Sequence, residues 1–123
     1  MCHMRRVAAT ELAELLPLPQ AVFQILVALA DQDRHGYAIM QDVAERTNGS
    51  LKLSPGTLYG SIKRMLEDGL IVEVGLRRNP KDDERRRYYR ITQFGRDLAQ
   101  AEADRLTVLL RQARAVGLTS KRA

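Results

Sequence analysis

What the chain lacks narrows it first. It has no tryptophan, and aromatic residues make up only 5% of its 123 positions, so a core must be assembled from Leu, Ile, Val, Met and Ala, which suits packed helices. Cys2 is the single cysteine and has no partner for an internal disulfide; a reducing cytoplasm is the simplest expected compartment. The two histidines, His3 and His35, have no second cysteine beside them and offer no metal-ligand spacing, so neither a metal nor a cofactor is expected. No run approaches the roughly 18 consecutive apolar residues of a membrane span. The opening "MCHMRRVAATE" has no long apolar stretch of the kind found in signal peptides. Catalytic signatures are missing as well: there is no GxSxG, no P-loop and no glycine-rich dinucleotide fingerprint. "DRHG" holds an aspartate and a histidine but no nucleophile arrangement follows from it, so no catalytic residue is assigned and an enzyme is the least favoured class.

What is present is positive charge, unevenly placed. The chain carries a net +5 and a pI near 9.8. Residues 1–53 are close to neutral, whereas residues 54–96 hold ten Lys/Arg against six Asp/Glu. Such a concentration suits a polyanionic partner, although a solvated basic surface has the same composition.

Periodicity supplies an order of elements. Thr10 caps a short helix, "ELAELL", which Pro17 and Pro19 end. "QAVFQILVALAD" repeats Val22, Ile25, Leu26 and Leu29 on one helical face. "DQDRHG" is polar and turn-like, with His35 starting or underlying the next helix, "YAIMQDVAERT". Asn48–Gly49 offers a left-handed helix end, and "SLKL" alternates enough for one short strand. Ser54 caps a helix over 55–68 with Pro55 at its first position, and Gly69 ends it. "LIVEVGL" and "YYRIT" are expected strands of a hairpin, with "RRNPKDDERRR" as its charged loop. Thr92 caps a long last helix, about 93–116, and "GLTSKRA" is a loose basic tail. The expected fold is mainly α with a small β-hairpin. Two helices joined by a tight connection and followed by a charged hairpin follow the logic of a winged helix-turn-helix.

The helix over 55–68 carries the sharpest functional signal. Leu58, Ile62, Met65 and Leu66 share one arc, while Thr57, Gly60, Lys63, Arg64 and Glu67 occupy the other, with Gly56 nearby and Tyr59 and Ser61 flanking. An exposed helical glycine costs about 0.8–1 kcal/mol relative to alanine. Gly56 and Gly60 therefore suggest a face that something approaches closely, or a face packed on another helix. The capped N-terminus suits a phosphate, and Arg64 or Lys63 suits a phosphate or a guanine edge. The hairpin adds Arg77, Arg78, Lys81, Arg85, Arg86 and Arg87, six cations among eleven residues, with only Asp82, Asp83 and Glu84 to offset them. Beside a phosphate backbone these cations gain from counterion release.

Taken together, "HGYAIMQDV", "LSPGTLYGSIKRMLEDGLI" and "RRRYYRITQFG" resemble the PadR family of bacterial transcriptional regulators, over about residues 19–97. The resemblance implies a homodimeric winged helix-turn-helix repressor of an inverted-repeat operator in double-stranded DNA. It implies DNA contacts from Ser54, Thr57, Tyr59, Gly60, Lys63 and Arg64 on the recognition helix and from the wing cations above. Position 60 is often proline in the family and is glycine here. The winged domain is expected over 10–92 and a C-terminal dimerisation helix over 93–117, with 1–9 and 118–123 as flexible termini. Leu98, Leu106, Leu109, Leu110 and Ala113 are the expected dimer-interface residues; the helix folding back on its own domain is the other reading. A small aromatic effector that releases DNA is a further implied partner, with Phe23, Phe94 and the tyrosines as the aromatic residues available to it. A protein-interaction module and a non-specific nucleic-acid binder fit the same charge pattern.

Overall fold

The computed structural model describes residues 12–78 and 85–120, with the backbone alone at Arg78. Thr10, Cys2, Lys81 and the three acids of the hairpin loop lie outside the described residues. After a helical stretch at 12–15 come α1 (Gln20–Leu29), β1 (Arg34–His35), α2 (Gly36–Arg46), α3 (Pro55–Glu67), β2 (Ile71–Arg78), β3 (Arg85–Ile91) and α4 (Gln93–Ala115). No helix among the described residues is long and apolar enough to cross a membrane.

Three of the four helices start at a side-chain cap; α1 follows Pro19 with no side-chain cap hydrogen bond. The Ser54 hydroxyl accepts from the Thr57 N–H at 3.1 Å, and His35 Nδ1 accepts from the Ala38 N–H at 3.1 Å. Thr92 Oγ1 accepts from the Gly95 N–H at 3.0 Å. Three-residue spacing from cap to donor is what free first-turn N–H groups require. The helix ends agree with the expected signals: Asn48 and Gly49 have φ of 51° and 78°, and Gly69 has φ of 76°. The apolar faces then meet. Ile25, Leu26 and Leu29 of α1, Ile39 and Val43 of α2, and Leu58, Ile62 and Met65 of α3 form one core with Leu70, Ile71, Tyr89 and Ile91.

The sheet departs from expectation in two places. It has three strands in the order β1–β3–β2, all antiparallel, and the third strand is Arg34–His35, paired with Tyr89 and Tyr88, not the "SLKL" segment. Two residues inside a polar stretch have no periodicity to announce them; their pairing is decided by β3, more than fifty residues away. Leu51 and Leu53 alternate toward the interior without a strand partner, tied instead by the Leu51 N–H donating to Thr47 Oγ1 at 3.1 Å. The second departure is the hairpin. β2 runs to Arg78 and β3 begins at Arg85, so Arg77, Arg78, Arg85, Arg86 and Arg87 sit on strands and not in the loop where composition had placed them. Main-chain pairing overrides charge density here. A bulge at Glu73–Gly75, with Gly75 at φ 107°, bends β2 opposite Tyr88 and Tyr89.

The start of α4 belongs to the winged core. Gly95 lies directly over the Leu70 carbonyl, where a Cβ would overlap the oxygen, and Thr92 Oγ1 donates to the Gly69 carbonyl at 2.7 Å. Leu98 is fully buried, at 0% exposure, against the same core. This corrects its grouping with the interface residues: helical spacing shows which positions are apolar, but not which turn leaves the domain.

One buried charge follows. Glu102, 3% exposed, takes both guanidinium hydrogen bonds of Arg105 at 2.8 Å and a third from the Leu18 N–H at 3.3 Å. The Arg105 hydrogen bond, supported by that of Leu18, holds the carboxyl below its ordinary 4.5 against an opposing effect of burial. Its stabilisation is therefore complete above 4.5 and lost as pH falls through the lower folded value. Glu102→Gln is expected to lose about 1 kcal/mol near neutrality, softened by the partial exposure of Arg105. Urea unfolding should show a flatter acid limb than for the parent chain.

Candidate nucleic-acid interface

α3 presents two unlike faces. Leu58, Ile62 and Met65 are 0–2% exposed. Gly56, Thr57, Gly60, Lys63 and Arg64 are exposed on the other side. A Cβ built at Gly56 or Gly60 would meet nothing within 4 Å, so no packed helix requires either glycine. With Pro19, Val22, Thr57, Ser61 and Arg64 they line a shallow groove of about 390 Å³ between α3 and the start of α1. Lys63 and Arg64 make no ion pair with any described residue. Ser54 and Thr57 hydrogen-bond to each other at 3.1 Å at the helix entrance. Tyr59 stands apart from this face: half exposed, it rests its phenol end on Gly36 at the start of α2.

The wing is built against its own charge. Arg77 faces Arg86 across the β2–β3 pairing, and the backbone of Arg78 pairs with that of Arg85. Like charges directly opposite on a sheet are destabilising. Some of these cations are occupied. Arg77 donates to Asp33 at 2.9 Å and stacks over the Tyr88 ring at 4.9 Å. Arg90 grips the same carboxylate through two hydrogen bonds, at 3.0 and 2.9 Å. Arg86 lies 5.8 Å above the Tyr37 ring, and Arg87 is only loosely paired with Glu73 at 3.5 Å. Arg85 is exposed on its strand.

Asp33 is a residue that sequence patterning missed. It sits in a polar stretch, and its role follows from strands far along the chain. The Arg90 hydrogen bonds, helped by the single one from Arg77, hold its carboxyl below the ordinary 3.8 although burial opposes them. Asp33→Asn is expected to free Arg77 and Arg90 and to raise affinity for random-sequence DNA several-fold at low salt, with a steeper salt dependence. Fluorescence anisotropy at a series of salt concentrations checks this.

Beyond the domain, α4 carries Leu106, Leu109 and Leu110 at 40, 46 and 45% exposure, with Ala113 half-buried on the same stripe. Val108, Val116 and Leu118 are also exposed. Between α1 and the first half of α4 runs a groove of about 440 Å³ that includes Phe23, Leu26, Val27, Ile91 and Ala99 in its lining. Phe94, in contrast, packs partly buried against the core.

Three helices, a short β1 and a two-stranded wing make a winged helix-turn-helix with a projecting C-terminal helix. A similar arrangement occurs in a PadR family transcription regulator from Clostridium difficile, at 26% identity, TM-score 0.68, and coverage of 80% of this chain and 98% of that one. The family model described as the transcriptional regulator PadR-like family matches residues 25–101, and the chain belongs to that family. Bacillus subtilis PadR, solved in complex with operator DNA, shares the fold at 20% identity and TM-score 0.57, covering 73% of this chain and 48% of that one. An uncharacterised protein of Lysinibacillus sphaericus is 38% identical over 72 residues, 58% of this chain. That match spans 64% of the relative's own length, just under two thirds.

Proposed function

We propose that the chain is a homodimeric repressor that reads an inverted-repeat operator with α3 and steadies it with the β2–β3 wing. The observation that carries this reading is the outward face of α3: two glycines with open space above them, followed by Lys63 and Arg64 without described ion-pair partners. A bare backbone next to uncommitted cations fits the floor of a major groove. Ser54 and Thr57 stand at the helix entrance, where first-turn N–H groups favour phosphate. The facing arginines of the wing favour a phosphate backbone for a separate reason, since a polyanion relieves their mutual repulsion. That the fold is shared with a protein solved on operator DNA supports the same reading.

Dimerisation is assigned to Leu106, Leu109, Leu110 and Ala113 on the far part of α4. Two-fold pairing through that stripe would place two copies of α3 on an inverted repeat, with half-sites about one helical turn apart, roughly 34–36 Å. The α1–α4 groove, with Phe23 in its wall, is of the ~300–1,000 Å³ size that drug-sized ligands use, and is the assigned place for an aromatic effector. Selection of bound duplexes from random DNA by the purified chain is the deciding experiment. An inverted repeat with fixed spacing, bound with affinity that falls steeply in salt, is the expected result. Equal binding to every duplex and to heparin would sink the reading.

A further inference from the structure

β1, α2, α3 and β3 meet around a pocket of about 160 Å³ lined by His35, Gly36, Tyr59, Arg86, Arg87 and Tyr89. It lies where the exposed side of α3 turns toward the wing. Its walls bring together two guanidinium-bearing residues, two phenols and an imidazole, and no lining residue is acidic. The volume is well below the ~300–1,000 Å³ of sites for drug-sized ligands, so it suits a group of a few atoms.

The walls are held in place from several elements. Tyr59 is fixed from below: a Cβ at Gly36 would overlap its Oη and stand 2.8 Å from its Cζ, so only glycine lets the ring lie there. His35 is fixed by its cap to Ala38 and by the edge of Tyr88, with ring centroids 5.3 Å apart. Tyr89 is 6% exposed; burial, followed by the nearby Glu73, pushes its phenol up, so it remains a donor at neutral pH. Arg87 reaches the pocket from a 67%-exposed position and pairs with Glu73 at the loose distance of 3.5 Å. A small anion that accepts several charge-assisted hydrogen bonds matches this set of donors.

We propose that the pocket receives a single phosphodiester of the DNA backbone, bound by the Tyr59 hydroxyl from α3 and by the guanidinium groups of Arg86 and Arg87 from the wing. This rests on the DNA-binding reading above and adds to it a specific joint. One phosphate would then be gripped by helix and wing together, which fixes how deeply α3 enters the groove. Tyr59 thereby differs from Lys63 and Arg64: its contact positions the protein and carries no sequence information.

The test pairs Tyr59→Phe and Arg87→Gln with operator duplexes carrying one neutral methylphosphonate at a time along each strand. The operator is the duplex selected by the parent chain. Tyr59→Phe keeps the ring on Gly36, so the fold is preserved, and it should weaken binding to the unmodified operator roughly tenfold. At one phosphate in each half-site, neutralisation should remove that penalty, leaving parent and variant within about twofold, and Arg87→Gln should converge at the same position. If the parent binds its operator while the Tyr59→Phe penalty is the same on every modified duplex, the phosphate clamp is overturned and DNA binding stands. If the parent prefers no duplex, the underlying reading fails with it. Inorganic phosphate supplies the remaining arm. Shifts of the Gly36 and Tyr59 amide resonances with free phosphate, lost in Tyr59→Phe, alongside a flat methylphosphonate scan would assign the pocket to a soluble anion and overturn the DNA assignment.

Discussion

Leu109→Asp combined with Leu110→Asp is expected to yield a monomer with an intact winged domain and operator affinity lower by about 10²–10⁴-fold. The two leucines, with Leu106, form a stripe at i, i+3 and i+4 spacing, and all three are 40–46% exposed in the single chain. Each leucine fully buried by a second copy contributes about 1.5–3 kcal/mol. A carboxylate at either position would have to be stripped of water without a partner, which reverses the sign of that contribution. None of these residues belongs to the winged core, whose α4 contribution is Leu98 with Phe94 and Ala99 beside it. The thermal transition of the domain should therefore move little. DNA affinity falls because two linked half-site contacts become two independent ones. Sedimentation equilibrium and operator titration together check this; a double variant that stays dimeric removes the stripe from the interface.

The second large effect is expected from Lys63→Ala with Arg64→Ala. Both side chains are exposed and neither is paired with a described residue, so folding stability should change by no more than about 0.5 kcal/mol. Binding to the selected operator should fall on the order of a hundredfold, since a good bidentate base contact discriminates by ~1–3 kcal/mol. Binding to random duplex should fall far less. Arg77→Ala is the informative contrast. Its guanidinium is held by Asp33 and by the Tyr88 ring, so its loss should disturb the wing more than it weakens DNA contact. Competition titrations with operator and random duplex separate the two behaviours. Equal losses on both duplexes for the Lys63/Arg64 pair would move those residues from base reading to backbone contact.

What was legible in the chain follows from how local each cause is. Ser54–Pro55, Thr92 and Asn48–Gly49 act within one turn, and the structure has a helix start or end at each. The apolar arcs of α1 and α3 repeat at 3.6 residues, and their buried residues are the expected ones. Arg34–His35 was illegible because a two-residue strand has no period; its partner strand defines it. Leu98 was misplaced because it shares one helical stripe with Leu106, Leu109 and Leu110, broken only by Glu102, and helical spacing does not say which turn leaves the core. Among the site residues, Lys63, Arg64 and the open glycines were visible as a face of one helix. Asp33, Gly36 and Glu102 were not, since each acts only on residues brought near by the fold. The glycine of "HGY" did carry a signal in retrospect: a residue without a side chain at the second position after a polar run, next to an aromatic, where a ring from elsewhere needs room.

The seating of Gly95 on the Leu70 carbonyl has a mechanical meaning. The Gly69–Leu70 turn that follows α3 and the beginning of α4 touch there backbone to backbone, with the Thr92 hydroxyl hydrogen-bonded across the corner. A contact of that kind has no rotamer to change and no side chain to slide. Through that seat α4 is a lever based on the turn that follows α3, 23 residues long, or about 35 Å at 1.5 Å per residue. A few degrees of rotation at its far end would move the helix in the groove by a base-pair step or a fraction of one. In a two-fold assembly the spacing of half-sites would be set where the two levers cross, and a ligand that shifts that crossing would be geared directly to DNA.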